Sequence, residues 1–196
     1  MLSGRIERVR SVLSIHGATG VIRMIREHGR PREYVVYCRG LESESAEGDA
    51  AGVRPGTLGE LAAWRRNCDS VAPPFLADRT NGWSDFCWAW CGNQPVGIVW
   101  TTTDSPLLVT APSEAVIVDL YTSPESRGGG IGSALIAAAC RQLSRRSFRA
   151  VYATVEVQNT PSRRAFERRS FWPIGQFTVR GWLRRPPRTA VWLCRP

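Results

Sequence analysis

Between Val118 and Leu135 the chain runs VDLYTSPESRGGGIGSAL, and here residue types and spacing could carry chemistry. An alternating apolar run ends at Thr122, a short loop follows, and Gly128, Gly129, Gly130 and Gly132 lead into a pattern of helical period. Glycines without side chains let backbone N–H groups approach an anion, and a helix N-terminus adds a favourable dipole. Arg127 places a full positive charge beside them. In physical terms this is a diphosphate cradle. The dinucleotide fingerprint G-x-G-x-x-G does not fit, because counting from Gly128 and Gly130 the third glycine falls on Ser133. The competing reading is a tight strand-to-helix turn with no ligand.

Composition removes other chemistries. All 26 basic residues among the 196 are arginine, so a phosphate-loop lysine, a protein-kinase lysine and a Schiff-base lysine are excluded. Six cysteines show no C-x-x-C spacing and only two histidines exist, so no metal site is expected and the thiols are read as reduced. The charge is lopsided. Residues 1–140 carry 13 arginines against 15 acids, whereas residues 141–196 carry 13 arginines against only Glu156 and Glu167. Such a half takes an anionic ligand or a nucleic-acid surface. Nucleic acid is disfavoured, because the arginine pairs of residues 141–170 lack the interleaved aromatics of a single-strand binder. No apolar run is long enough for a transmembrane helix and the N-terminus lacks a secretory signal pattern, so a cytoplasmic protein is expected.

The elements that must position the glycine loop follow from periodicity. Residues 1–29 read as two short helices, Tyr34–Arg39 as a strand and residues 42–50 as an acidic linker. Val53-Arg54 leads into a helix around Leu58–Arg66, with a second short helix near Pro74–Thr80. Phe86–Trp90 and Pro95–Thr102 form a hairpin about Gly92-Asn93. Ala115–Thr122, the helix Gly130–Arg146 and Val151–Val157 make a strand–helix–strand unit, which implies a parallel pair. A helix at Ser162–Arg169 and strands near Ile174–Trp182 and Thr189–Cys194 close the chain. The expected division is an N-terminal extension with linker over 1–50 and one α/β domain over 51–196.

With these elements in place the sequence resembles the GNAT superfamily of acyl-CoA-dependent N-acyltransferases. Its loop motif [R/Q]-x-x-G-x-[G/A] is matched by Arg127, Gly130 and Gly132, preceded by Leu120, Tyr121 and Pro124 in the frequent L-Y-x-x-P form. A second signature, an Asn after the next strand followed by a short helix and an aromatic-ended turn, is matched by Asn159, Ser162, Phe166 and Phe171. The resemblance covers about residues 52–183.

It implies a mixed α/β fold with a central sheet of six or seven strands, partly parallel, flanked by helices. It implies acetyl-CoA as acyl donor and an amine, on a small molecule or a protein, as acceptor. Backbone groups at Leu120, Tyr121 and Thr122 would pair with the pantetheine arm. The amides of Gly128, Gly129, Gly130, Ile131, Gly132 and Ser133 would hold the diphosphate, Asn159 and Ser162 would contact the pantetheine or diphosphate region, and Phe166 would belong to the same cofactor-binding set. Family members carry a tyrosine acid where this chain has Phe166, and a glutamate base near positions that are valines here, Val116 and Val118. Asp119 and Glu156 are the nearby carboxylates that could serve as base, and Tyr121 is the nearest tyrosine that could serve as acid. The departures at Phe166, Val116 and Val118 leave a second reading, an acyl-CoA-binding sensor or structural module without turnover.

Trp88 and Trp90 share a strand face, as wall of an acceptor pocket or as core. Trp182 and Trp192 are open to covering a sheet edge or a homodimer seam, and residues 1–50 to capping an open face of the domain, shaping the acceptor pocket, forming a dimer contact or attaching to a membrane surface.

Overall fold

A computed structural model describes residues 31–41, 52–57, 59–61, 84–105 and 107–179. The elements run β1 (Arg32–Gly40), β2 (Val53–Pro55), β3 (Ser84–Cys91), β4 (Gln94–Thr102), β5 (Glu114–Thr122), α1 (Ile131–Arg145), β6 (Ala150–Glu156), α2 (Thr160–Glu167) and β7 (Trp172–Val179). A 3-10 turn at Pro124–Ser126 joins β5 to the glycine loop. The strands form one seven-stranded sheet in the order β2-β3-β4-β5-β6-β1-β7. Among the described strands only β5 and β6 pair in parallel, with α1 as their crossover. The mixed α/β sheet expected from the sequence is the one that forms.

β1 is the first of the described strands and lies inside the sheet, antiparallel to β6 on one side and to β7 on the other. Val35, Val36 and Tyr37 are at most 2% exposed, because consecutive apolar residues suit a strand covered on both faces. A stretch that the sequence places in an extension is thus an interior strand. The helices expected over residues 1–29, the acidic linker, the helix near Pro74–Thr80 and the strand near Thr189–Cys194 lie outside the described residues.

Val53–Pro55 pairs with β3 at the sheet edge, where a proline without an N–H is tolerated. A helical turn begins just after it. Thr57 Oγ1 accepts from the Glu60 amide at 3.2 Å and Glu60 Oε2 accepts from the Thr57 amide at 2.8 Å, a reciprocal cap.

The two sheet faces differ. On one, α1 buries Leu135, Ile136, Ala139, Cys140 and Leu143 against Val35, Val99, Ala115, Ile117, Val151 and Ala153. The i, i+4 spacing of Leu135, Ala139 and Leu143 produces that stripe. The other face is aromatic over β3 and β4, where Phe86, Trp88 and Trp100 pack together with Leu61, Ile98 and the half-buried Trp90. Further along it Val36 and Val116 pack with Val118, Tyr152 and Phe177. Among the described residues no helix is long and apolar enough to cross a membrane.

Candidate functional site

β5 and β6 stay paired only from Glu114 opposite Ala150 to Ile117 opposite Ala153. Beyond Ile117 the strands part, and the cause is local. On the other edge of β5, Tyr121 stands opposite Ile98 and Val118 opposite Trp100, so Asp119 and Leu120 together face Val99. This is a β-bulge, and Asp119 carries it with φ of 49°, in the left-handed region. A bulge bends its strand away from a neighbour. The result is a cleft of about 300 Å3, with Val118, Asp119 and Leu120 on one wall and Thr154, Val155 and Glu156 on the other. Asn159, Ser162 and Phe166 of α2 line one end, and Tyr34 of β1 lines it as well.

The glycine loop sits at the far end of β5. Gly128 and Gly130 adopt φ of 87° and 79°, a conformation that strains any residue with a Cβ. Gly130 is the N-cap of α1 and no side chain caps the helix, so its first N–H groups are left for another acceptor. A Cβ at Gly128 or Gly130 would meet nothing within 4 Å, so open space lies above the loop. Arg127 Nε donates to the Thr122 carbonyl at 3.2 Å, which folds its side chain back along the end of β5. Left-handed glycines, an uncapped helix start and an adjacent cation together fit a diphosphate.

α2 is fixed by its own residues. Asn159 caps it, its Oδ1 accepting from the Ser162 amide at 3.2 Å, which leaves the Asn159 side-chain N–H donors for a ligand. Phe166 is 3% exposed, stacked on Tyr37 and edge-on to Phe171. Tyr37 donates to Glu167 Oε1 at 2.7 Å and accepts from Arg163 Nε at 3.1 Å. Part of the basic half therefore works inside the fold. Arg163 anchors α2 to β1, Arg146 pairs with Asp85 at 2.8 Å, and Arg169 bonds to Ser133.

The candidate acid–base groups separate. Asp119 and Glu156 line the cleft from opposite walls. Glu156 Oε1 accepts from Arg32 Nη1 at 2.7 Å and lies 3.5 Å from the Tyr34 hydroxyl. Tyr121 does not line the cleft. The bulge adds one residue to β5 and so reverses which face the following residues occupy, which turns Tyr121 onto the aromatic face beside Trp88 and Trp100. Trp88 and Trp90 do share that face, where their rings lie 5.7 Å apart. Arg32 and Tyr34 escaped notice in the sequence, because nothing local links them to residues more than 120 positions later.

The parted β5–β6 pair and the glycine loop at the start of α1 together form the candidate site. Residues 58–171, more than half of the chain, match the family described as acetyltransferase (GNAT), and the chain belongs to that family. Solved structures agree in fold. A GNAT-family protein from Novosphingobium aromaticivorans superposes with a TM-score of 0.56 at 16% identity, covering 76% of this chain and 63% of that one. A GCN5-related N-acetyltransferase from Sphaerobacter thermophilus gives 0.53 at 19% identity, covering 83% and 56%. A tandem GNAT protein from the clavulanic acid biosynthesis pathway gives 0.54 at 16% identity, covering 83% and 57%. The matched region thus spans about three fifths of the length of each of these chains. No curated protein sequence matches the chain.

Proposed function

We propose that this chain moves an acetyl group from acetyl-CoA to a primary amine by direct attack of the amine on the thioester. The observation that carries the reading is the parting of β5 from β6 at Ile117 and Ala153, in line with the glycine loop. The freed edge of β5 at Leu120 and Thr122 can pair with the amide groups of a pantetheine arm, much as an added strand would. The amides from Gly128 to Ser133 then face the diphosphate, with Arg127 beside them. Asn159, Ser162 and Phe166 border the arm from α2.

The amine must be neutral when it attacks, and its proton must go to a base. Asp119 and Glu156 are the carboxylates that line the cleft, and either could take the proton of the attacking nitrogen. The oxyanion falls to the backbone N–H of Thr122 in this reading. A second reading, binding without turnover, draws on Phe166, a buried phenyl ring where a proton donor would be needed on α2.

A thermal-shift titration with acetyl-CoA, free CoA and a longer acyl-CoA, wild type beside Gly130→Glu, tests the site. Ligand at about 100 times its dissociation constant stabilises by about 2.7 kcal/mol, a Tm rise of roughly 5–10 °C. A shift in wild type that the variant loses supports the site, and no shift with any CoA species removes it. Thiol release with any amine decides against binding without turnover.

A further inference from the structure

Phe166 has no proton to give a departing thiolate, yet a phenol does reach the cleft from another strand. We propose that Tyr34 of β1 is a catalytic residue, the proton donor to the leaving CoA sulfur, with Glu156 returning the proton to it. The inference rests on the acyl-transfer reading above and deepens it.

Tyr34 stands directly opposite Glu156 in the antiparallel β1–β6 ladder, so both side chains project from one face of the sheet. Both line the cleft. The Tyr34 ring stacks on Phe177 of β7 with centroids 5.4 Å apart and planes 18° apart, which fixes its direction. Its hydroxyl lies 3.5 Å from Glu156 Oε1, and Arg32 Nη1 holds that same oxygen at 2.7 Å. The other tyrosines of the described residues are committed elsewhere. Tyr37 bonds to Glu167 and Arg163, Tyr152 bonds to Glu114, and Tyr121 packs with the aromatic cluster of β3 and β4 and does not line the cleft. Burial and the neighbouring Glu156 raise the Tyr34 phenol above its ordinary range, so it keeps its proton at neutral pH.

The step balances in one turn. The amine nitrogen bonds to the acyl carbon and the carbon–sulfur bond breaks, its electron pair leaving on sulfur. Sulfur takes the Tyr34 proton, the nitrogen releases one proton to Glu156, and Glu156 passes it to the Tyr34 phenolate. One proton has moved from nitrogen to sulfur and both side chains are restored. The groups facing Tyr34 are Arg32 on its own strand and Glu156 on β6, with Asp119 of β5 also lining the cleft.

The test is Tyr34→Phe in the full chain, which keeps the ring and its stacking. Thiol release from acetyl-CoA is followed with benzylamine, putrescine, glucosamine and a dipeptide, and kinetics are measured with the best of these. The expected result is a kcat lower by about 100-fold, with KM for acetyl-CoA within about twofold and the acetyl-CoA thermal shift unchanged. The alkaline fall of the wild-type rate, set by ionisation of the phenol, also disappears in the variant. A variant kcat within about threefold of wild type overturns the proposal, as does a loss in kcat that comes only with a lowered Tm. Wild type that binds acetyl-CoA yet releases thiol with no amine overturns the donor role while leaving the binding site standing. Wild type that neither binds nor turns over removes both.

Discussion

Arg169 Nε lies 2.8 Å from Ser133 Oγ and 3.0 Å from the Ser133 carbonyl oxygen, which ties the turn after α2 to the first turn of α1. Two separate chain segments flank the candidate donor site, the glycine loop and α2, and this contact sets their spacing. Arg169→Leu removes both bonds from a charged donor. The expected cost is about 2 kcal/mol, read as a Tm lower by roughly 4–8 °C, with several-fold weaker acetyl-CoA binding in the titration.

Ser170, next in the chain, holds φ of 58° at the end of the same turn. A residue with a Cβ pays about 1 kcal/mol to stay there. Ser170→Gly therefore raises Tm by roughly 2–4 °C with thiol release unchanged, measured by calorimetry and the activity assay.

Asp119 has the same backbone strain at a position that lines the cleft. Strain of this kind persists where surrounding structure enforces it. Asp119→Asn keeps the shape and removes the charge, and Glu156→Gln does the same on the opposite wall. With Glu156 as the base, Glu156→Gln lowers kcat by about 100-fold and flattens the acidic limb of the pH–rate profile and Asp119→Asn does neither, while acetyl-CoA binding in both stays within a few-fold of wild type.

Cys87 is fully buried, and burial, with Asp85 adding to it, pushes its thiol up to about 12 from an ordinary value of 9.0. Folding favours the protonated thiol, so its contribution is complete below about pH 9 and is lost as pH rises toward 12. Urea midpoints should fall across that window, and Cys87→Ser should shallow the slope. At pH 8 an alkylating reagent marks the exposed Cys91 and spares Cys87, as peptide mass mapping would show.

Much of this was legible in the residues. The alternation of 115–122 and 151–157, the helical period between them and the glycines at 128, 130 and 132 specify a parallel pair and an anion loop, because period and turn chemistry are local. The bulge at Asp119 was not legible, since nothing in VDLYT marks which residue will lack an opposite partner. That single residue decides that Tyr121 leaves the cleft. Nor could period say where Arg32–Gly40 docks, as its partners lie far along the chain, and with it went Arg32 and Tyr34. The short run at Val53–Pro55 became an edge strand rather than a helix approach because β3 offered it an open ladder.

The place of β1 in the sheet also governs how the molecule is made. Among the described strands synthesis delivers this one first, and its neighbours β6 and β7 are the last two to leave the ribosome. While β2 to β5 are being made β1 has neither of its partners, and the described sheet can be finished only when β7 has emerged. Pairings across such sequence separation form slowly, and unpaired edges invite association with other chains in the interval. The nascent protein thus has a long window of vulnerability, in which a holding chaperone would keep β1 available for its slot.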